Sequence, residues 1–162
     1  MKRSLPFFLF FLPFFISAAP QVTVEMKFVE LDEADYEVVK AELLATRLPG
    51  DFEGLKRSEV PAGFWAKVQT FPGAEIISAP KLLVQDGAEA SIEVGEVIKV
   101  SLVCESRAKG TGVDMEAKFL QWKKGLKTNI TLPEGIQAMV GSVSNSEGRR
   151  ILVLCKVVQA GG

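Results

Sequence analysis

The chain of 162 residues contains no histidine, one tyrosine and two cysteines. Histidine is the commonest general base near neutral pH and the commonest zinc ligand, so its absence removes the central residue of most hydrolases and zinc enzymes. The sequence also lacks a phosphate-cradling glycine loop and, without histidine, a Ser/His/Asp set. We therefore predict a protein that is not an enzyme and that needs no metal or cofactor.

An excess of charge of either sign is also missing. The 19 Lys and Arg residues nearly balance the 20 Asp and Glu residues, which leaves a net charge of −1. A nucleic-acid partner would require a basic face, so we predict none. With 48% hydrophobic residues, the chain is expected to form one globular domain with a substantial core.

The first residues have the pattern of a secretory signal peptide. Lys2 and Arg3 precede an apolar run from Leu5 to Ile16, which ends at small residues. Because this run is shorter than the ~20 residues that a membrane span needs, we predict a cleaved signal peptide at 1–18 and a single domain at 19–162. An uncleaved anchor is the alternative. The protein is thus expected to be exported.

Hydrophobic periodicity predicts one strand and then two helices in the first half. Residues 21–31 alternate as a half-buried strand. From Asp32, the expected N-cap, the period becomes helical until Pro49-Gly50. A second helix is predicted from Pro61 to Phe71. The expected core-facing stripes are Tyr36, Val39 and Leu43 in the first helix, and Phe64, Trp65, Val68 and Phe71 in the second.

The segment Ile76–Val100 is expected to organise the remaining chain. Pro80 should separate a short strand ending near Ser78 from another that begins at Lys81. Asp86-Gly87 is typical of a two-residue hairpin turn. Beyond it, residues 90–104 keep one apolar parity, which would make a strand of ~50 Å; we therefore expect this strand to bend at Gly95.

The second half is predicted to consist of strands only. Alternating residues indicate strands at 113–119, 126–132, 136–143 and 149–158. The last of these is apolar on both faces and should lie centrally in a sheet. The fold class that follows is α+β, an antiparallel β-sheet or meander with two N-terminal-half helices packed on it. The loop 106–112 is expected to leave the hairpin of 90–104 and 113–119 at a sheet edge.

The remaining polar residues offer few candidate sites. Asp32, Glu33 and Asp35 lie at a predicted helix start, where the helix dipole explains them; a calcium site is the alternative. Cys104 and Cys155 both lie on the apolar parity of their predicted strands. In an oxidising compartment they are candidates for a disulfide, and the alternative is two buried free thiols.

Several segments resemble the secretin family, the outer-membrane channel subunits of type II and type III secretion and type IV pilus systems. The resemblance is strongest in "IISAPKLLVQDGAEASIEVGEVIKV" and extends to "VTVEMKFVEL" and to "TLPEGIQAMVGSVSNSEGRRILVLCKVV". The connection from Cys104 to Val113 is short where channel-forming members have long hairpins. The residues that match the family pattern are Glu25, Ser78, Pro80, Lys81, Glu89, Ala90, Val94, Gly95, Gly135 and Gly141.

This resemblance implies a short, stand-alone, secretin-like domain in the periplasm or outer membrane of a Gram-negative-type bacterium. The implied role is structural, in a secretion or pilus-type apparatus, with copies of itself or other envelope proteins as partners and with outer-membrane association. The alternative is a monomeric periplasmic module that keeps the fold without a pore and binds a peptide or polymer along a sheet edge.

Overall fold

The computed structural model describes residues 19–45, 58–60 and 63–160, except for the side chains of residues 42–45, 58 and 59. The predicted signal peptide, the helix end at Pro49-Gly50 and the helix start at Pro61 lie outside these residues. The elements of the described part are β1 (Gln21–Asp32), α1 (Glu33–Ala45), β2 (Ser58–Glu59), α2 (Phe64–Val68), β3 (Glu75–Ser78), β4 (Lys81–Gln85), β5 (Glu89–Val94), β6 (Ile98–Arg107), β7 (Gly110–Phe119), β8 (Lys124–Leu132), β9 (Gln137–Ser144) and β10 (Arg149–Gln159).

The strands form two antiparallel sheets. The six-stranded sheet has the order β2-β9-β10-β1-β3, and β4 also pairs with β1. β10 runs along one edge of β1 for almost its whole length, while β3 and β4 share the other edge. The four-stranded sheet has the order β5-β6-β7-β8. The predicted α+β class with antiparallel strands and two helices is therefore confirmed, although the strands divide into two sheets.

The core lies in two layers, one on each face of the six-stranded sheet. Between the two sheets, Phe28 of β1 meets Phe119 of β7 edge to face, with ring centroids 5.9 Å apart. On the opposite face, Tyr36, Val39 and Phe64 of the helices pack against Leu152 and its neighbours. The prediction that the last strand is central is confirmed, because β10 lies between β9 and β1 and is buried on both faces.

The predicted strand break at Pro80 is confirmed. β3 ends at Ser78 and β4 begins at Lys81. The Pro80 carbonyl accepts a hydrogen bond from the Met26 amide at 2.9 Å, so the break remains attached to β1. Proline cannot donate to a sheet ladder, which explains why pairing divides here.

The predicted change of direction at Gly95 is confirmed, but residues 90–104 belong to two strands and not to the single bent strand that we expected. The chain reverses at Gly95-Glu96-Val97, and β5 pairs antiparallel with β6, with Val94 opposite Ile98. Gly95 has φ +54°, a conformation that glycine adopts easily, and the Val97 amide donates to the Val94 carbonyl. The turn contains three residues, an odd number, so the apolar residues of β5 and β6 have the same parity in the sequence. The alternation therefore continues through the turn as if through one strand.

The turn at Asp86-Gly87 is present, but it does not join two paired strands. β4 pairs with β1 and β5 pairs with β6, so this turn carries the chain from one sheet to the other. The Gly87 amide donates to the Cys104 carbonyl at 2.7 Å, and the Asp86 carboxylate accepts from the Ser106 amide at 2.6 Å. These bonds hold the crossing turn against β6.

Two further expectations are corrected. Asp32 is the last residue of β1, and its carboxylate binds Arg149 instead of capping the helix. The hairpin of β6 and β7 lies in the interior of the four-stranded sheet, because β5 and β8 flank it; the edges are β5 and β8.

Tyr36 and Val39 are buried as predicted. Neither described helix is long and apolar enough to cross a membrane.

Candidate functional site

Four of the ten family-matching residues meet where β1 pairs with β3 and β4. Lys81 lies opposite Glu25, and its Nζ donates to the Glu25 carboxylate at 2.6 Å. This hydrogen bond, together with nearby lysines, lowers the pKa of Glu25 although partial burial opposes the shift. Ser78 lies opposite Phe28, and Pro80 bonds Met26 through its carbonyl. Thus Glu25, Ser78, Pro80 and Lys81 form one structural unit.

Another four lie on the other sheet. Glu89, Ala90 and Val94 belong to β5, and Gly95 begins the turn that follows. β5 is an edge strand on which exposed and half-buried residues alternate, with no fully buried residue. Glu93 of this strand pairs with Lys99 of β6 at 3.6 Å, and Glu96 lies in the turn. The structure therefore does not bring this half of the pattern together with Glu25 and Lys81.

The remaining two are glycines with local structural roles. Gly135, at φ +74°, lies in the turn between β8 and β9, and its amide donates to the Val157 carbonyl at 2.8 Å. Gly141 lies in β9, where a Cβ atom would come within 2.7 Å of the Leu126 side chain. The absence of a side chain at Gly141 thus lets Leu126 of β8 pack across to β9.

A dense polar cluster at the start of β10 was not predicted from the sequence. Arg149, at the start of β10, donates to Glu30 at 2.7 Å, to Asp32 and to the Gly73 carbonyl at 3.0 Å. The two carboxylates raise the pKa of Arg149. The two adjacent arginines in the sequence were the available signal. Their carboxylate partners are more than a hundred residues away in the chain, which is why the cluster could not be predicted.

Arg150 forms the second half of this corner. Its guanidinium binds both Glu33 oxygens, at 2.7 and 3.0 Å, and lies over the Tyr36 ring at 4.2 Å from the centroid. The Tyr36 hydroxyl and the Ser142 hydroxyl are hydrogen-bonded at 3.0 Å. The hydrogen bonds from Arg150 lower the pKa of Glu33. Arginine therefore binds two of the three carboxylates considered for a calcium site, and the corner fastens α1 to the sheet.

The two cysteines face the core between the sheets, Cys104 from β6 and Cys155 from β10. Both are free and buried. Burial raises the pKa of the Cys104 thiol to about 11 and that of the Cys155 thiol to about 12. A protonated, inaccessible thiol is a poor nucleophile. Their pairing stays a prediction: titration of the unfolded, unreduced protein would find two reactive thiols in the free form and none in the bridged form.

A groove rimmed by lysines was also missed. It lies at the turn from β7 to β8, has a volume of about 500 Å³, and is rimmed by Lys118, Lys123, Lys124 and Lys127. We call it the lysine groove. The signal in the sequence is a run from Ala117 to Pro133 that contains four lysines and no acidic residue. A count of charge over the whole chain conceals this local concentration.

No cluster of three or more His, Cys, Asp or Glu residues suited to a metal ion occurs in the described part of the chain. The sites that the structure does form are an ion-paired corner, an edge strand and a cationic groove. No protein-family model and no curated protein matches this sequence.

Proposed function

We propose that the protein is a non-enzymatic envelope component with a structural or assembly role in a secretion or pilus-type apparatus. It resembles a minimal secretin domain that acts through side-to-side contacts between strands. The observation that carries this proposal is β5, because this edge strand contains three of the family-matching residues and has no fully buried side chain.

The side chains of β5 suit a contact with another strand. Ala90 and Ile92 pack only partly against the core, while Glu89, Ser91 and Glu93 are exposed on the opposite face. An edge strand presents unpaired backbone N–H and C=O groups, which a strand from another chain can pair. A partner there would complete the burial of an apolar row that is half-covered in one chain.

The unit around Glu25 and Lys81 supports the same proposal from the other sheet. The first, middle and closing segments of the resemblance come together in it, as β1, β3 with β4, and β9 with β10. The carboxylates of Glu30, Asp32 and Glu33 are bound by arginine, and both thiols are buried. These groups stabilise the fold and leave little chemistry for a reaction.

The test is the native mass of the exported chain, measured by light scattering over a range of concentrations. We expect a species larger than a monomer, and we expect Ile92→Lys to dissociate it by placing a charge on the β5 edge. Ile76→Lys is the matched control, since it makes the same change in an edge strand of the other sheet. A wild-type chain that stays monomeric at high concentration and in detergent would refute assembly.

The second candidate function is a monomeric binding module, and it uses the same edge. A peptide could add to β5 as a further strand, as in other cases of β-strand addition. This reading predicts a monomer that binds an extended peptide and loses that binding in Ile92→Lys. The native mass of the wild-type protein thus separates the two candidates.

A further inference from the structure

The lysine groove has an apolar wall as well as a cationic rim. Leu120, in the turn, is 40% exposed, and Leu126 and Phe119 contribute apolar atoms below it. Gly125 lies opposite Lys118 and adds no side chain to the groove, and a Cβ at this position would lie 3.2 Å from the Ala117 carbonyl oxygen. The groove therefore offers positive charge and apolar surface side by side.

The charge of the rim is unbalanced in a chain that is slightly acidic overall. One glutamate, Glu116, lines the groove, and it pairs with Lys118 at 3.1 Å. Lys124 donates to the Ser144 carbonyl, which leaves its charge uncompensated by an acid. Among the described residues, neither Lys123 nor Lys127 forms an ion pair, although Lys127 lies across the strands from Glu116. The turn therefore carries a net positive field at one end of the four-stranded sheet.

The groove spans β7, whose backbone is paired on both sides by β6 and β8, the turn, and the edge strand β8. Its four lysines are distributed over these three elements, and lysine ammonium groups are point charges without the fork geometry that fixes a single carboxylate. Cations distributed in this way suit mobile anionic headgroups, which need no fixed geometry, while acyl chains would cover the exposed Leu120.

We propose that the lysine groove is a docking surface for an anionic lipid bilayer, which the protein binds peripherally at the β7–β8 turn. The lysines contact the headgroup phosphates, and Leu120 enters the boundary between headgroups and acyl chains. This inference goes beyond assembly through β5 and does not depend on it, because the two surfaces involve different strands.

The experiment is co-sedimentation of the full chain with vesicles of phosphatidylcholine, alone or mixed with phosphatidylglycerol. We expect binding to the mixed vesicles only, and weaker binding at high salt. Each lysine near an anionic surface contributes about 1 kcal/mol, so Lys123→Gln combined with Lys127→Gln should weaken binding about thirtyfold. Leu120→Ser should weaken it further. The control is Lys40→Gln combined with Lys109→Gln, which removes two charges elsewhere and should leave binding unchanged.

The other anionic ligands are separate arms of the same experiment. Inorganic phosphate and poly-glutamate should reduce vesicle binding no more than a simple salt of the same ionic strength does. Binding to poly-glutamate without binding to vesicles would overturn the proposal in favour of an acidic peptide. Equal binding to both vesicle types, or an unchanged affinity in the double glutamine variant, would also overturn it. Circular dichroism of each variant checks that the surface substitutions leave the fold intact.

Discussion

The two sheets of this protein differ in how many of their faces are covered. The six-stranded sheet is covered on both, by the other sheet and by the helices, and Ile151 to Cys155 of β10 are all buried. The four-stranded sheet is covered on one face, and its strands alternate between buried and exposed side chains. The six-stranded sheet therefore buries side chains on both faces, while the four-stranded sheet leaves one face exposed to solvent.

The open face is polar in an ordered way. Glu93, Lys99 and Lys118 follow one another across β5, β6 and β7, and the first two are ion-paired. One row further, Glu116 lies opposite Lys127. The two proposed contact surfaces, β5 and the β7–β8 turn, lie at opposite sides of this sheet. Cross-strand pairs of opposite charge stabilise such a sheet modestly.

The largest effect is expected where the two sheets meet. Phe28→Ala or Phe119→Ala removes one ring of the edge-to-face pair and leaves a cavity, so each should lower the free energy of unfolding by about 3–5 kcal/mol. Denaturant unfolding measures this change. Ile76→Ala, at a side chain that is 46% exposed, is the control and should have a much smaller effect. Equal losses at Phe28 and Ile76 would contradict a core between the sheets.

The next largest effects on stability are expected at two turns of the four-stranded sheet, where two glycines can be compared. Gly110 has φ +135°, and an added Cβ would lie 2.2 Å from the Leu132 carbonyl oxygen, so Gly110→Ala should lower the free energy of unfolding by about 3 kcal/mol. Gly95 has φ +54° and open space around it, so Gly95→Ala should lose only about 1–2 kcal/mol. Similar losses in both variants would show that the two turns are equally constrained, against the structure.

A smaller effect is expected at the corner that joins the helical layer to the six-stranded sheet. Arg150→Ala removes the bidentate contact with Glu33 and the stacking on Tyr36, and should lower the free energy of unfolding by about 1–3 kcal/mol. Arg107→Ala is the matched control, since its two contacts, an ion pair with Glu105 at 3.6 Å and a hydrogen bond to the Thr131 hydroxyl at 3.0 Å, are both exposed. It should change stability by less than about 1 kcal/mol. Equal losses of unfolding free energy in the two variants would show that the corner makes no special contribution to stability.

Sequence patterns predicted which side chains face the core better than they predicted which strands pair with each other. The parity of Val113, Met115 and Phe119 was correct because burial on one face enforces alternation. The same regularity concealed the reversal at Gly95, since the alternation continues through the turn. Nor could the local pattern show that β4 and β5 belong to different sheets, because pairing with β1 depends on residues far away in the chain.

The candidate sites also divide into those that depend on the local sequence and those that depend on residues far away in the chain. Pro80 acts through the local backbone, so its effect was predictable from sequence. The corner of Arg149 and Arg150 depends on carboxylates of β1 and α1, which only the folded chain brings near. The lysine groove was visible in sequence as an acid-free run with four lysines, but the groove itself results from the packing of β7 against β8.

The smallest expected effect is that of the ion pair between Glu25 and Lys81. The hydrogen bond from Lys81 lowers the pKa of Glu25 below its ordinary value of 4.5, so the folded chain binds this proton less readily than the unfolded chain does. The stabilisation is therefore fully present above pH 4.5 and is lost as the pH falls through the folded-state pKa. Because the Lys81 side chain is 66% exposed, it should amount to no more than about 1 kcal/mol.

A double-mutant cycle of Glu25→Gln and Lys81→Gln isolates this interaction. Denaturant unfolding is measured from neutral pH down to a pH at which Glu25 is protonated. We expect a coupling free energy at neutral pH that disappears in acid and shrinks in high salt. A coupling that persists in acid would mean that neutral contacts, and not charge, join β1 to β4. The β4 edge would then depend on backbone pairing and neutral contacts, whereas charge would still join β1 to β10 through Arg149.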